Sequence, residues 1–215
     1  MIITSSTALM RVDTQQYPVY LAQVRAENPD VSFSDSPSED LLAEFGFAAV
    51  RITARPAGDV VTEGTPELVD GEYQQSWVVR EFTDEEKAQQ LMAKKAELQD
   101  TLLAMRAAEL EFGFNYTDDN GNVFGIQLRE QDRINLLGLK DEASDAIAAD
   151  SAEVQPFRTL ENVTIEMSPQ QMVKMCRAAL ARFKLVMGTS WHYRDAIEAA
   201  TTMAELPELP AKLVE

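Results

Sequence analysis

From Thr83 to Glu111 the chain runs without a glycine or a proline, and it opens on the clearest helix start in the sequence, Thr83-Asp84-Glu85-Glu86. Threonine can cap an orphan N–H, the acids suit the positive end of a helix dipole, and glutamate three residues on completes a capping box. One long helix is therefore expected over residues 83–111, dividing the chain into an N-terminal and a C-terminal part. Leu91, Leu98, Met105 and Phe112 repeat every seven residues, while the companion positions Ala88, Lys95, Leu102 and Glu109 are only half apolar. This stripe has two readings: a short oligomeric coiled coil with polar interruptions, or a connecting helix packed on its own chain. Under the first, Leu91, Leu98, Leu102, Met105 and Phe112 form the oligomer interface.

Ahead of this helix, residues 1–12 read as a short strand or an extended apolar arm, the arm stabilised on a neighbour's strand edge or loosely held. Residues 13–82 read as a small α+β docking domain. Tyr17-Pro18 opens a short helix over Val19–Ala26, stopped by Asn28-Pro29. A second helix is expected from Ser36 as N-cap with Pro37 at its first position, Leu41, Leu42 and Phe45 as its apolar face, and Gly46 as its stop. Phe47–Thr53 reads as a strand. Val60–Val69 and Tyr73–Phe82 read as a hairpin about Asp70-Gly71, with Trp77 anchoring a small core.

Beyond the helix, residues 112–204 read as a second α+β module, followed by an irregular tail at 205–215. Phe112–Tyr116 and Val123–Leu128 alternate about Asp118-Asp119-Asn120-Gly121-Asn122, so a hairpin with a tight Asn-Gly turn is expected. A helix follows over Arg129–Ala149 with Ile134, Leu137, Ala143 and Ile147 as its modest face, then an extended segment, Pro156–Met167. Ser168-Pro169-Gln170-Gln171 is a complete capping box with proline at the first helical position. The long helix that it opens carries Met172, Val173, Cys176, Leu180, Phe183, Met187 and Trp191 at three- and four-residue spacing. The fold class expected is α+β: a small N-terminal domain, a long connecting helix, and a C-terminal module of β-hairpin plus helices.

Composition sets bounds on function. A formal net charge of −17 opposes sequence-independent nucleic-acid binding, which rests on Lys and Arg neutralising phosphates, and opposes docking on an anionic membrane. A single cysteine excludes an internal disulfide and a cysteine-clustered zinc site. No run is apolar and long enough for a transmembrane helix, and the start lacks the pattern of a secretory signal.

Little in the sequence points to catalysis. His192 is the only histidine, so a multi-histidine metal site is ruled out. Asp118–Asn122 invites a calcium reading, but counting from Asp118 places Gly121 fourth and Arg129 twelfth, where an EF-hand loop needs glycine sixth and glutamate twelfth. Phosphate-loop, dinucleotide and nucleophile-elbow motifs are absent from the sequence. The expectation is a non-enzyme without metal or cofactor.

Phe124-Gly125-Ile126-Gln127, Asp132-Arg133-Ile134-Asn135, Pro156-Phe157-Arg158-Thr159-Leu160-Glu161-Asn162-Val163-Thr164-Ile165 and the Ser168-Pro169-Gln170-Gln171 helix start follow one another in a recognisable order. In this the segment Phe112–Ala200 resembles DUF4376, a domain of unknown function found in tail and tail-fibre proteins of tailed bacteriophages. The family usually has tryptophan after the first of these prolines, where this chain has Phe157. Tyr17–Leu21, Asn28–Phe33 and Glu63–Gly71 are similar to the start of small phage tail-associated proteins. The resemblance carries no catalytic residues. It implies a structural part of a phage tail (a fibre, a fibre adaptor or a baseplate component), made in the host cytoplasm and resident in the virion tail. Its partners would be its own copies, as a homotrimer, and other tail proteins, with no nucleic acid and no membrane. The alternative is a tail-fibre assembly chaperone.

Overall fold

The structure, a computed structural model, describes residues 2–214. The fold is α+β, and the chain divides into two compact units, residues 1–86 and 87–215.

In the N-terminal unit a five-stranded sheet is built from β1 (Leu9–Arg11), β2 (Gln16–Val19), β3 (Phe47–Arg51), β5 (Glu67–Val69) and β6 (Glu72–Gln74), in the order β2-β1-β3-β6-β5. All pairs are antiparallel except β3–β6, which is parallel, with Val50 opposite Tyr73. Helices α1 (Leu21–Glu27) and α2 (Glu39–Glu44) belong to the same unit. Its core gathers Ile3, Leu9, Val19, Leu21, Val24, Phe33, Leu42 and Phe47. The apolar arm expected over 1–12 is thereby corrected for the described residues: Ile3, Leu9 and Met10 are almost wholly buried, and β1 pairs on both sides within its own chain. Met1 lies outside the described residues.

Two further expectations shift. The cap of α2 is Ser38, not Ser36: Ser38 Oγ accepts the Leu41 N–H at 3.2 Å. Ser38 stands directly before Glu39 and Asp40, which occupy the first turn, and Leu42 of the helix is buried in the core. The long hairpin about Asp70-Gly71 is divided. Its inner part, β5–β6, joins the main sheet. Its outer part, β4 (Val60–Glu63) with β7 (Trp77–Arg80), forms a separate two-stranded ribbon. The turn itself has Asp70 at φ 52° and Gly71 at φ 83°, the pair of positive angles that a two-residue hairpin turn requires. Trp77 is half-buried and outside the core; its indole N–H donates to Thr53 Oγ1 at 3.0 Å. Charge supplements the packing where Arg51 bridges Glu39 at 3.1 Å and Glu72 at 2.9 Å.

The long helix α3 (Asp84–Phe112) starts at the capping box read from the sequence. The Thr83 N–H donates to Glu86 Oε2 at 2.8 Å, and Thr83 Oγ1 accepts the Glu86 N–H at 3.2 Å. Arg80 clamps the same carboxylate with both terminal nitrogens, at 2.6 and 2.7 Å.

The C-terminal unit holds two hairpins, β8 (Phe114–Thr117) with β9 (Val123–Ile126) and β10 (Gln155–Arg158) with β11 (Thr164–Met167), together with α4 (Glu130–Ala148) and α5 (Pro169–Ala199). The α5 capping box is formed as read: Ser168 Oγ accepts the Gln171 N–H, and Gln171 Oε1 accepts the Ser168 N–H at 2.9 Å. One cluster packs Tyr116, Phe124, Ile126, Leu128, Leu136 and Ala143 against Met167, Met172, Met175, Cys176 and Ala179. A second packs Leu102 of α3 against Val186 and Ile197 of α5 and against Leu213 and Val214. The tail is irregular beyond a short 3-10 turn at Met203–Glu205, yet it is not loose: Leu206 and Leu209 are partly buried, and Leu213 and Val214 are buried.

Two predictions follow from these contacts. The Arg80 clamp, together with the Thr83 backbone bond, holds the Glu86 carboxyl down to about 2, from an ordinary 4.5. A depressed folded-state pKa contributes stability that is full above the unfolded value and fades as pH falls from 4.5 toward 2. Carboxyl-resolved NMR titration should place the Glu86 midpoint near 2, and Arg80→Ala should return it toward the ordinary value. Separately, Leu102→Ala should cost ~2–5 kcal/mol in urea unfolding of the C-terminal unit, the cost of emptying a buried leucine site. A loss well below 1 kcal/mol would contradict the packing described.

Candidate functional site

The stripe residues proposed for an oligomer interface are divided by the structure. Leu102 is buried, and Leu98 and Met105 pack against the same cluster, all on their own chain. Leu91 is half-buried, and Phe112 is 75% exposed. Phe112 was expected to start the hairpin; it is instead the last residue of α3, and the strand begins at Phe114. The reason is Gly113. It takes φ 70°, and a Cβ there would stand 1.9 Å from the Ile126 carbonyl oxygen, so the helix stops where the backbone meets β9. Beside this stop, Arg182 Nη2 lies 3.4 Å from Glu109 Oε2 and 3.2 Å from the Val214 carbonyl, tying α5 to α3 and to the tail.

The hairpin turn is wider than the sequence implied. Of the Asn-Gly pair only Gly121 has positive φ, and Asp118 N–H bonds to the Asn122 carbonyl at 2.9 Å. This is the geometry of a three-residue loop closed by a left-handed residue. Asp118 is occupied: Oδ1 accepts the Asn120 and Asn122 N–H groups at 2.9 and 2.8 Å, and Oδ2 accepts the Asn122 side-chain amide at 2.9 Å. The Asn122 amide, aided by these backbone donors, lowers the Asp118 pKa. The carboxylate is therefore a turn former. Among the described residues no group of three His, Cys, Asp or Glu side chains is placed to hold a metal ion, and no helix is long and apolar enough to cross a membrane.

Several residues of the family-like motifs meet in space. The backbone N–H of Gly125 donates to both oxygens of Glu161, at 2.9 and 3.1 Å, and the Gly125 carbonyl accepts the Leu160 N–H at 2.9 Å. A Cβ at Gly125 would lie 2.7 Å from the Leu160 Cβ, so the loop between β10 and β11 can seat on β9 only over a glycine. Phe157, in the place of the usual tryptophan, is partly buried against the first cluster, opposite Ile165.

An open apolar surface of this unit follows from a correction to α4. The face expected was Ile134, Leu137, Ala143 and Ile147. The residues that turn inward are Leu136, Leu139 and Ala143, and they leave Ile134 at 56% and Leu137 at 52% exposure. Both sets have helical spacing. The inward one is selected by contact with α5, where Met175 and Ala179 are buried while Leu180 is left partly in solvent. Between α4 and α5 lies a groove of about 140 Å³, lined by Leu136, Leu137, Ala179, Leu180 and Phe183, with Cys176 also in its wall. Its only charged lining residues are Arg133 and Lys140. The Arg133 guanidinium lies 4.4 Å from the centre of the Phe183 ring and donates to the Leu128 carbonyl at 2.8 Å. Among the described residues Lys140 reaches only its exposed neighbour Asp141, at 3.4 Å. The signal for this groove in the sequence was a second apolar stripe on α4, overlapping the first.

Burial pushes the Cys176 thiol up to about 11, against a small opposing pull from Lys140. At pH 8 the folded protein should therefore react with iodoacetamide far more slowly than the urea-unfolded chain. Equal rates, followed by mass spectrometry, would show that the thiol is not held in this environment.

No curated protein and no solved structure matches the chain. The family described as "Domain of unknown function (DUF4376)" matches residues 93–209, just over half of the chain. The match begins within α3 and takes in the hairpins, α4, α5 and the tail as far as Leu209, so it also covers Leu98, Leu102 and Met105 of the intramolecular cluster but not Leu213 and Val214. On that match, the chain belongs to the DUF4376 family.

Proposed function

We propose that this protein is a structural component of a bacteriophage tail (a fibre, a fibre adaptor or a baseplate protein) that acts by protein–protein assembly, as a homotrimer joined to other tail proteins. The observation that carries the reading is the DUF4376 match over residues 93–209, taken with the resemblance of the N-terminal motifs to phage tail-associated proteins. It is supported by apolar side chains left open on the same unit. Phe112, Ile134, Leu137, Leu185 and Trp191 are each at least half exposed, and large exposed apolar groups suit a surface that is covered in an assembly. An acidic chain that works by contact must present such places, because its net charge of −17 opposes close approach elsewhere.

The test is to purify particles of a phage that encodes this chain and count its copies by quantitative peptide mass spectrometry. The expected result is a fixed count per particle that is a multiple of three. Presence in infected cells with absence from mature particles would replace this reading with the assembly chaperone.

A further inference from the structure

We infer that the α4–α5 groove receives Phe112 of a second copy of this chain, with Glu111 of that copy facing Arg133 and Lys140. The argument rests on the self-association in the reading above and not on the tail location.

The first ground is fit. The groove measures about 140 Å³, and an apolar cavity of about 150 Å³ holds one benzene-sized ring. Its walls are aliphatic and aromatic, and the half-exposed Ile134 and Leu137 widen the apolar surface at α4. Phe112 is a phenyl group at 75% exposure on the last turn of a long helix, fixed there by the Gly113 stop. A ring held out on a rigid helix end loses little freedom on docking.

The second ground is charge. With 36 acids against 19 bases, most of the surface repels another copy. The groove is an exception, with two cations and no acid in its wall. Among the described residues Arg133 has no carboxylate within salt-bridge distance, and the one contact of Lys140 is long and exposed. An occupant should therefore pair one apolar ring with a nearby carboxylate. Glu111-Phe112 has this composition: the Glu111 side chain is 64% exposed and, among the described residues, held only by a 3.8 Å contact to Arg129. The two halves of the contact are different patches, so copies exchange them across a twofold axis or pass them head to tail round a closed ring, which for the proposed trimer has three members.

The experiment is sedimentation equilibrium on the full chain, with circular dichroism melts to show that each variant is folded. The wild type should self-associate reversibly. Phe112→Ser and Leu137→Glu, both at exposed positions, should each weaken association by about tenfold or more, the scale expected for withdrawing an aromatic anchor from an apolar site. Glu111→Arg should weaken it, and Glu111→Arg combined with Arg133→Glu should restore part of the loss. Met92→Ser, at a similarly exposed apolar residue of the same helix, should change nothing. A wild type that stays monomeric at tens of micromolar overturns the inference. So does association that survives Phe112→Ser, or that Met92→Ser abolishes, which would place the contact on a different face of α3. A monomeric result leaves the particle count standing as the separate test of tail location.

Discussion

Along α5, Met172, Met175, Cys176 and Ala179 are withdrawn from water against the first hairpin and α4. Two turns further on, Val186 and then Ile197 are withdrawn against α3 and the C-terminal segment. Each of the methionines, Val186 and Ile197 contributes roughly 1.5–3 kcal/mol relative to exposure, and the smaller Ala179 less, so this one helix supplies one wall of both apolar clusters in the C-terminal unit. The hairpins are short, and each forms only a two-stranded sheet, which is marginal in isolation. They persist because their inner faces lie against α5. The tail is held by the same helix, through Leu213 and Val214 and through the Arg182 bond to the Val214 carbonyl.

Electrostatics plays a different part in each unit. In the N-terminal unit, pairs such as Arg51 with Glu39 and Glu72 link α2 to the sheet. Exposed pairs of this kind are individually weak, and the apolar cluster around Leu9 and Phe47 remains the stronger stabilising element. In the C-terminal unit Arg133 is placed over an aromatic ring, with its polar edge turned to a backbone carbonyl. That arrangement keeps a cation beside an apolar groove without the carboxylate that would cancel it.

The sequence revealed best what short-range chemistry decides. Both capping boxes form as read, because a side-chain oxygen three residues from an N–H has almost one way to satisfy it. The Asp70-Gly71 turn forms for a similar reason. What it left open depends on partners distant in sequence. The stripes Ile134–Leu137 and Leu136–Leu139–Ala143 both fit a helix, and only α5 selects between them. Likewise Leu180 fits the helical face of α5 as well as Ala179, but the smaller residue is the one buried. The parallel β3–β6 pair has no local signature, and the packing of Leu213 and Val214 lies in a segment that reads as irregular. At the candidate site the heptad stripe was legible and its partner was not: Leu98, Leu102 and Met105 face their own chain, and Phe112 faces solvent.

Serving two clusters makes α5 a ruler. Each added residue turns an α-helix by about 100°. One insertion between Ala179 and Val186 would therefore leave the first cluster in place and swing Val186 and Ile197 away from Leu102. An insertion of seven, close to two whole turns, would restore their direction but carry them about 10 Å along the axis, past their partners. The unit thus fixes both the phase and the length of this segment, so sequence change there is confined to substitution, while the exposed loop at Asp118–Asn122 can change in length without disturbing either cluster.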